Sequence, residues 1–183
     1  AIDATDAVMA GEMENAFCAV RPPGHHACRE KAGGFCFFNN VAIAAKYALE
    51  RHNLHRVAII DFDVHHGNGT EAIFYNRADT LTISLHQENC FPLEGGGWQD
   101  RGRGEGVGAN LNIPLLPGGG HQAYMDAFEL LVLPALRAYK PDLIVIASGF
   151  DANGVDPLAR MLAYADTYRA MATQLKALAS EIC

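Results

Sequence analysis

Short apolar runs alternate along this chain with helical patterns, and that alternation limits the available folds more than any other feature. Residues 57–60 and 143–147 are apolar throughout. Uninterrupted apolar runs of this length are typical of strands that are covered on both faces of a sheet. Strands separated by helices pair in parallel, because the crossover returns the chain to the same end of the sheet. The pattern therefore predicts an α/β fold with a mainly parallel sheet flanked by helices.

The same patterns give the boundaries of the elements. The predicted strands are Phe17–Val20, Arg56–Ile60, Thr80–Leu85 and Leu143–Ala147. Apolar residues at helical spacing predict helices at Asn40–Arg51, Tyr124–Tyr139 and Thr167–Ile182. Pro134 predicts a kink or a boundary in the second of these, because proline lacks the backbone N–H. No repeat or linker interrupts residues 1–183, so we expect a single domain.

Composition excludes several classes of function. The formal net charge is −7, which argues against binding nucleic acid through its phosphates. No apolar run reaches the roughly 18 residues of a membrane helix, so no membrane association is expected. The five cysteines include no Cys-x-x-Cys pair, which makes a zinc–thiolate site or a disulfide framework unexpected and favours a cytoplasmic location. The sequence leaves a homo-oligomer open.

Polar residues are concentrated directly after the predicted strands. The His25-His26 pair follows the first predicted strand, residues 61–66 follow the second, and Asp151 follows the last. Ligands of open α/β sheets bind beyond the carboxyl ends of the strands. We therefore predict the active site at that edge of the sheet.

Asp61, Asp63 and His65 alternate along the chain after an apolar strand. In extended backbone alternate residues share a face, so the three side chains are expected to point the same way. Carboxylate oxygen and imidazole nitrogen suit zinc, manganese or iron. Solvated charges at a strand end are the alternative interpretation, which explains a single acid better than this run. Asp151 alone indicates no more than a turn or a helix cap, but as a third protein ligand it would leave one zinc position open for catalysis.

The tandem histidines stand in the segment RPPGHHA. Two imidazoles beside a metal offer a general base and a second, electrostatic partner. A single histidine would more often be structural, and the pair by itself is a moderate signal.

Five segments, taken together and in order, resemble the histone deacetylase family, which includes bacterial deacetylase-like amidohydrolases and acetylpolyamine amidohydrolases. They are RPPGHHA at 21–27, GGFCFFNN at 33–40, DFDVHHGNGT at 61–70, SLHQ at 84–87 and SGFDA at 148–152. Gly24 before the histidine pair and Asn68 are similar to the class II branch. The resemblance implies an arginase/deacetylase-like fold and a zinc-dependent deacetylase.

The resemblance also implies roles for particular residues. The residues that match zinc ligands are Asp63, His65 and Asp151. The residues that match the catalytic group are His25, His26 as the general base, Asp61 as the acid that orients His25, and Asn68 as the partner of His26. The residues that match the substrate channel are Gly34, Phe35, Phe91, Gly149 and Leu158. The residues that match a structural potassium site are Asp61, Asp63, His65, Ser84 and Leu85.

The sequence departs from the family in one respect. The family has a tyrosine in a downstream Gly-Gly-Tyr motif that stabilises the oxyanion, whereas none of the six tyrosines here follows Gly-Gly. The first residues also look as though the sequence begins partway through a helix. We therefore expect residues 1–183 to be a partial catalytic domain, with N- and C-terminal parts missing and low activity by itself.

The resemblance implies hydrolysis of an N-acyl amide, with an acylated lysine in a peptide or an acetylated polyamine as substrate. Leu158 stands where polyamine-selective relatives carry an acid, which favours acyl-lysine. One alternative is a ureohydrolase-like enzyme with two manganese ions, although such enzymes typically have a D-x-H-x-D run and this chain has D-x-D-x-H. Another is a non-catalytic module that binds acyl-lysine or polyamine.

Overall fold

Four parallel strands form one sheet in the structure, a computed structural model that describes residues 1–183. The strands are β1 (Val57–Asp61), β2 (Thr80–Gln87), β3 (Asn110–Leu115) and β4 (Leu143–Ala147). Their order is β3-β2-β1-β4, and every neighbouring pair is parallel. The predicted α/β fold with a parallel sheet is confirmed.

Helices connect the strands and cover both faces of the sheet. They are α1 (Ile2–Met9), α2 (Asn40–Arg51), α3 (Asn68–Phe74), α4 (His121–Ala127), α5 (Leu133–Tyr139) and α6 (Ala165–Ile182). A π-helical turn at Phe128–Val132 joins α4 to α5. Pro134 lies at the start of α5, where a missing N–H costs little, so the predicted boundary is confirmed. No helix is long and apolar enough to cross a membrane.

One predicted strand is wrong and one real strand was missed. Residues 17–20 form no strand, and Phe17 and Val20 lie largely exposed. A four-residue apolar run becomes a strand only where an edge is available to pair with it, which the run itself does not reveal. The missed strand is β3, whose pattern is broken by two asparagines and Pro114. Proline is tolerated there because β3 is an edge strand.

The core has one apolar cluster on each face of the sheet, because successive strand residues point to opposite faces. Ala58 and Ile60 pack with the larger cluster, which includes buried residues of α4, α5 and α6. Val57 and Ile59 pack with the smaller one, which also includes three alanines of α2 and Phe74. Since β1 is covered on both faces, each of its five residues is buried. The polar segment 61–67 therefore begins at the end of a strand that is held in place by packing on both faces.

Candidate active site

Asp63, His65 and Asp151 form one cluster beyond the ends of β1 and β4. One potential ligand atom from each lies within 4.8 Å of the others. His65 Nδ1 is 3.0 Å from Asp63 Oδ1 and 2.9 Å from Asp151 Oδ2. Gly149 makes room for this cluster, because a Cβ there would lie 2.2 Å from Asp63 Oδ2.

Asp61 is not part of the cluster, although its carboxylate and that of Asp63 both lie close to the His25 ring, at 2.7 and 3.7 Å. Phe62 and Val64 pack into the larger apolar cluster, as the predicted alternation requires. The regular strand ends at Asp61, and the chain then bends: the Asp63 N–H donates to Asp61 Oδ1 over 3.1 Å, and the His65 N–H donates to Asp63 Oδ1 over 2.8 Å. These short-range bonds accompany the bend that brings Asp63 and His65 next to Asp151.

The cluster has the electrostatics of a cation site. Hydrogen bonds to Asp151 and Asp63 raise the pKa of His65 to about 10, although burial opposes the shift. Burial works against the charged form of Asp63, but the hydrogen bonds and charges of His65 and His25 keep its pKa below the ordinary value. Two carboxylates thus favour a positive charge between them. Two oxygen donors and one nitrogen donor fit a zinc ion in that place.

His25 and His26 lie side by side, with ring centroids 4.0 Å apart and both residues 6% exposed. His25 Nδ1 is 2.7 Å from Asp61 Oδ2. His26 Nδ1 is 2.7 Å from Asn68 Oδ1. The structure thus brings each histidine to the partner that the resemblance implied for it.

Their surroundings push the two pKa values apart. Burial lowers the pKa of His25, but the adjacent Asp61 carboxylate more than offsets this and the pKa rises to about 9. Burial and the neighbouring charge of His25 lower the pKa of His26 to about 4. At neutral pH the pair consequently consists of one cation and one neutral base, the division expected of paired acid–base groups.

The backbone of the histidine segment is fixed by two residues that the sequence analysis did not single out. Asn39 Nδ2 donates to the Ala27 carbonyl over 3.1 Å and to Thr70 Oγ1 over 3.0 Å. The Thr70 N–H donates to the His25 carbonyl over 3.1 Å. Asn39 also caps α2, and its presence in GGFCFFNN was the available signal.

Only some of the predicted channel residues lie against the histidine pair. The Phe91 ring centroid lies 5.1 Å from that of His26 and 6.2 Å from that of His65. A Cβ on Gly34 would lie 2.1 Å from His26 Cδ2, so glycine allows this close approach. Phe35 and Leu158 are 91% and 82% exposed, and their place in a channel stays a prediction.

Three of the predicted potassium ligands, Asp61, Ser84 and Leu85, lie at the neighbouring ends of β1 and β2. The strand register pairs Asp61 with Ser84. Ser84 Oγ is 3.3 Å from the Gly67 N–H and 3.0 Å from His86 Nδ1. Leu85 follows in β2, so these groups are neighbours, and the potassium itself stays a prediction.

Comparison with known proteins connects this geometry to a family. The histone deacetylase domain profile matches residues 1–183. A histone deacetylase-like amidohydrolase from Pseudomonas aeruginosa is 58% identical over 176 residues, which are 96% of this chain and 46% of that protein. Histone deacetylase 14, chloroplastic, from Arabidopsis thaliana is 45% identical over 167 residues, 91% of this chain and 39% of that protein.

Two solved structures have the same fold. The HDA15 HD domain superposes with a TM-score of 0.94 at 38% identity, covering 99% of this chain and 52% of that one. An acetylpolyamine aminohydrolase from Burkholderia pseudomallei gives 0.90 at 39% identity, covering 96% and 51%. The chain therefore spans about half the length of the relatives that it matches.

Proposed function

Because this chain belongs to the histone deacetylase family, we propose that it forms part of a zinc-dependent hydrolase that cleaves N-acyl amides. The observation that carries the proposal is the adjacency of the cation site to two histidines whose pKa values differ in opposite directions from the ordinary value. A protein that only binds acyl-lysine or polyamine needs neither a buried neutral imidazole, such as that of His26, nor a buried cationic imidazole beside it, such as that of His25.

Asp63, His65 and Asp151 would hold the zinc. Three protein ligands leave one position open, as catalytic zinc sites require. When bound, the ion would supply Lewis-acid activation of the acyl carbonyl and of a water molecule.

The two histidines would move the protons. Asn68 Oδ1 can only accept, so His26 would carry its proton on Nδ1 and keep the lone pair of Nε2 free to take a proton from the reacting water. His26 takes a proton as the water oxygen bonds to the acyl carbon. When the carbon–nitrogen bond breaks, a histidine of the pair returns a proton to the leaving amine. The products are a carboxylate and an amine, and the cationic His25 stabilises the negative charge that develops between these steps.

The substrate would be an acylated lysine in a peptide, or an acetylated polyamine. Phe91 lies against the His26 ring and offers an apolar wall to an alkyl chain. Phe35 would provide the opposite wall, and the apolar Leu158 favours a lysine chain over a polycation. The net charge of −7 suits a cationic partner of either kind.

A two-manganese enzyme is the weaker candidate. Asp61 is committed to His25 rather than to the metal cluster. Asp156, the further acid that such an enzyme could use as a bridging ligand, is not part of the cluster of Asp63, His65 and Asp151.

Elemental analysis of the purified full-length protein tests the metal assignment. We expect one zinc per chain in the wild type and in the surface control Glu105→Gln, and none in Asp63→Ala. Zinc retained at full stoichiometry in Asp63→Ala, or two manganese ions in the wild type, would refute the assignment.

A further inference from the structure

A second polar cluster is centred on the carboxylate of Glu71 in α3. The side-chain amides of Asn110 and Asn112 each donate to Glu71 Oε2 over 2.7 Å, and His66 Nε2 lies 3.3 Å from the same oxygen. The Glu71 side chain is 17% exposed and both asparagines are buried. Three donors thus converge on one oxygen of a glutamate that the proposed chemistry does not use.

The asparagines hold Glu71 to a rigid frame, because both belong to β3. The sheet register pairs Asn110 with Thr82 and Asn112 with Ser84 of β2. The Asn110 amide also donates to the Asp100 carbonyl over 2.7 Å, which fixes its orientation. Burial disfavours the charged form of Glu71, but the hydrogen bonds from His66 and both asparagines hold its pKa below the ordinary value. The hydrogen bonds from Asn110 and Asn112 to Glu71, together called the clamp, are therefore charge-assisted.

The first turn of α3 also contacts the histidine segment. Asn68, the first residue of α3, is the partner of His26 Nδ1. Gly69 is so close to the segment that a Cβ there would lie 2.4 Å from the Ala27 carbonyl. The helix has seven residues and no side-chain N-cap, so it is too short to be stable without tertiary contacts. The position of α3 must therefore be set by its contacts with β3 and with the histidine segment.

We propose that Glu71 is a positioning residue for the hydrolysis: it fastens α3 to β3, and α3 thereby holds Asn68 where it orients His26. The inference rests on the proposed function and extends it to a residue outside the reacting groups. Without the clamp, α3 would shift relative to the sheet, and His26 would lose the bond that fixes its proton on Nδ1.

Kinetics of the zinc-loaded full-length protein on an acetyl-lysine peptide provide the first test. Glu71→Leu fills similar space but accepts no hydrogen bond, and we expect kcat per zinc-loaded site to fall about 10- to 100-fold with KM nearly constant. Glu71→Gln still presents a side-chain oxygen to the three donors and should recover most of the rate. Glu105→Leu, at an exposed glutamate, is the control for the substitution itself.

A double-mutant comparison separates positioning from general destabilisation. If Glu71 acts through Asn68, then Glu71→Leu should reduce kcat by less than about threefold in an Asn68→Ala background. If the two losses multiply in full while the zinc content stays constant, Glu71 does not act through Asn68 and the inference is overturned.

The tautomer of His26 is a readout that does not depend on turnover. Long-range ¹H–¹⁵N NMR spectra should place the proton on Nδ1 in the wild type and in Glu71→Gln, and give a mixture of tautomers in Glu71→Leu. An unchanged tautomer in folded Glu71→Leu would overturn the inference. A shifted tautomer in a protein whose wild type has no deacylase activity would instead contradict the proposed function.

Discussion

Acid should destabilise this protein through His86, a buried histidine at the end of β2. His86 is 4% exposed, with Nε2 2.9 Å from the Gly96 carbonyl and Nδ1 3.0 Å from Ser84 Oγ. Burial and the adjacent His66 lower its pKa from 6.5 to about 4. Because the folded pKa lies below the unfolded one, the unfolded chain binds the proton first. The stabilising contribution is therefore complete above about pH 6.5 and is lost as the pH falls towards 4.

The size of the effect follows from the shift. A difference of 2.5 pKa units between the unfolded and folded values, at about 1.4 kcal/mol per unit, amounts to roughly 3 kcal/mol for a fully buried group. Between pH 7 and pH 5, about 2 kcal/mol of it should disappear.

Urea denaturation at pH 7 and pH 5 measures this contribution. Other groups also titrate, so the informative quantity is the difference in unfolding free energy between wild type and His86→Gln. That difference should shrink by about 2 kcal/mol between pH 7 and pH 5. His55→Gln, at an exposed histidine, is the control for the substitution itself. A wild-type to His86→Gln difference that is the same at both pH values would refute the reasoning.

Three further predictions concern the site and the core. In the full-length protein, His26→Ala should lower kcat about 10²- to 10⁴-fold with zinc still bound; near-normal turnover would exclude His26 as the base. Gly149→Ala should release zinc, measured by elemental analysis, because its Cβ would lie 2.2 Å from Asp63 Oδ2, whereas Gly33→Ala, whose Cβ would meet nothing closer than 3.8 Å, should keep it; equal zinc in both would contradict the packing argument. Leu136→Ala should lower the free energy of unfolding by about 2–5 kcal/mol, since Leu136 is fully buried; a loss below about 1 kcal/mol would mean that the core is not packed as described.

The parts of the fold that the sequence predicts are those fixed by local pattern. The apolar runs at 57–60 and 143–147 identify β1 and β4, because continuous apolar runs are typical of strands in a parallel sheet. The expected burial on both faces is confirmed for β1 but is wrong for β4, an edge strand of this chain that is only partly buried. The missed β3 has a different cause. Asn110 and Asn112 are buried, and they are tolerated there because Glu71, some 40 residues earlier in the chain, accepts their hydrogen bonds. No local pattern in the sequence reveals such a partner.

For the site, too, local patterns predicted which residues take part but not which distant residues contact each other. The D-x-H spacing and the histidine pair were sufficient to select the residues that cluster. The spacing alone did not assign Asp61 to His25 and Asp151 to the place beside His65; the family resemblance supplied both assignments, and the structure has both contacts. Leu158 was selected by resemblance alone, and its exposure leaves its role untested.

Zinc titration of the metal-free full-length protein tests the central claim most directly. Hydrolysis of an acetyl-lysine peptide should be absent after chelation, rise in proportion to added zinc, and reach its plateau at one equivalent per chain. Full activity in the chelated protein, or a plateau only at two equivalents, would contradict a single zinc held by Asp63, His65 and Asp151.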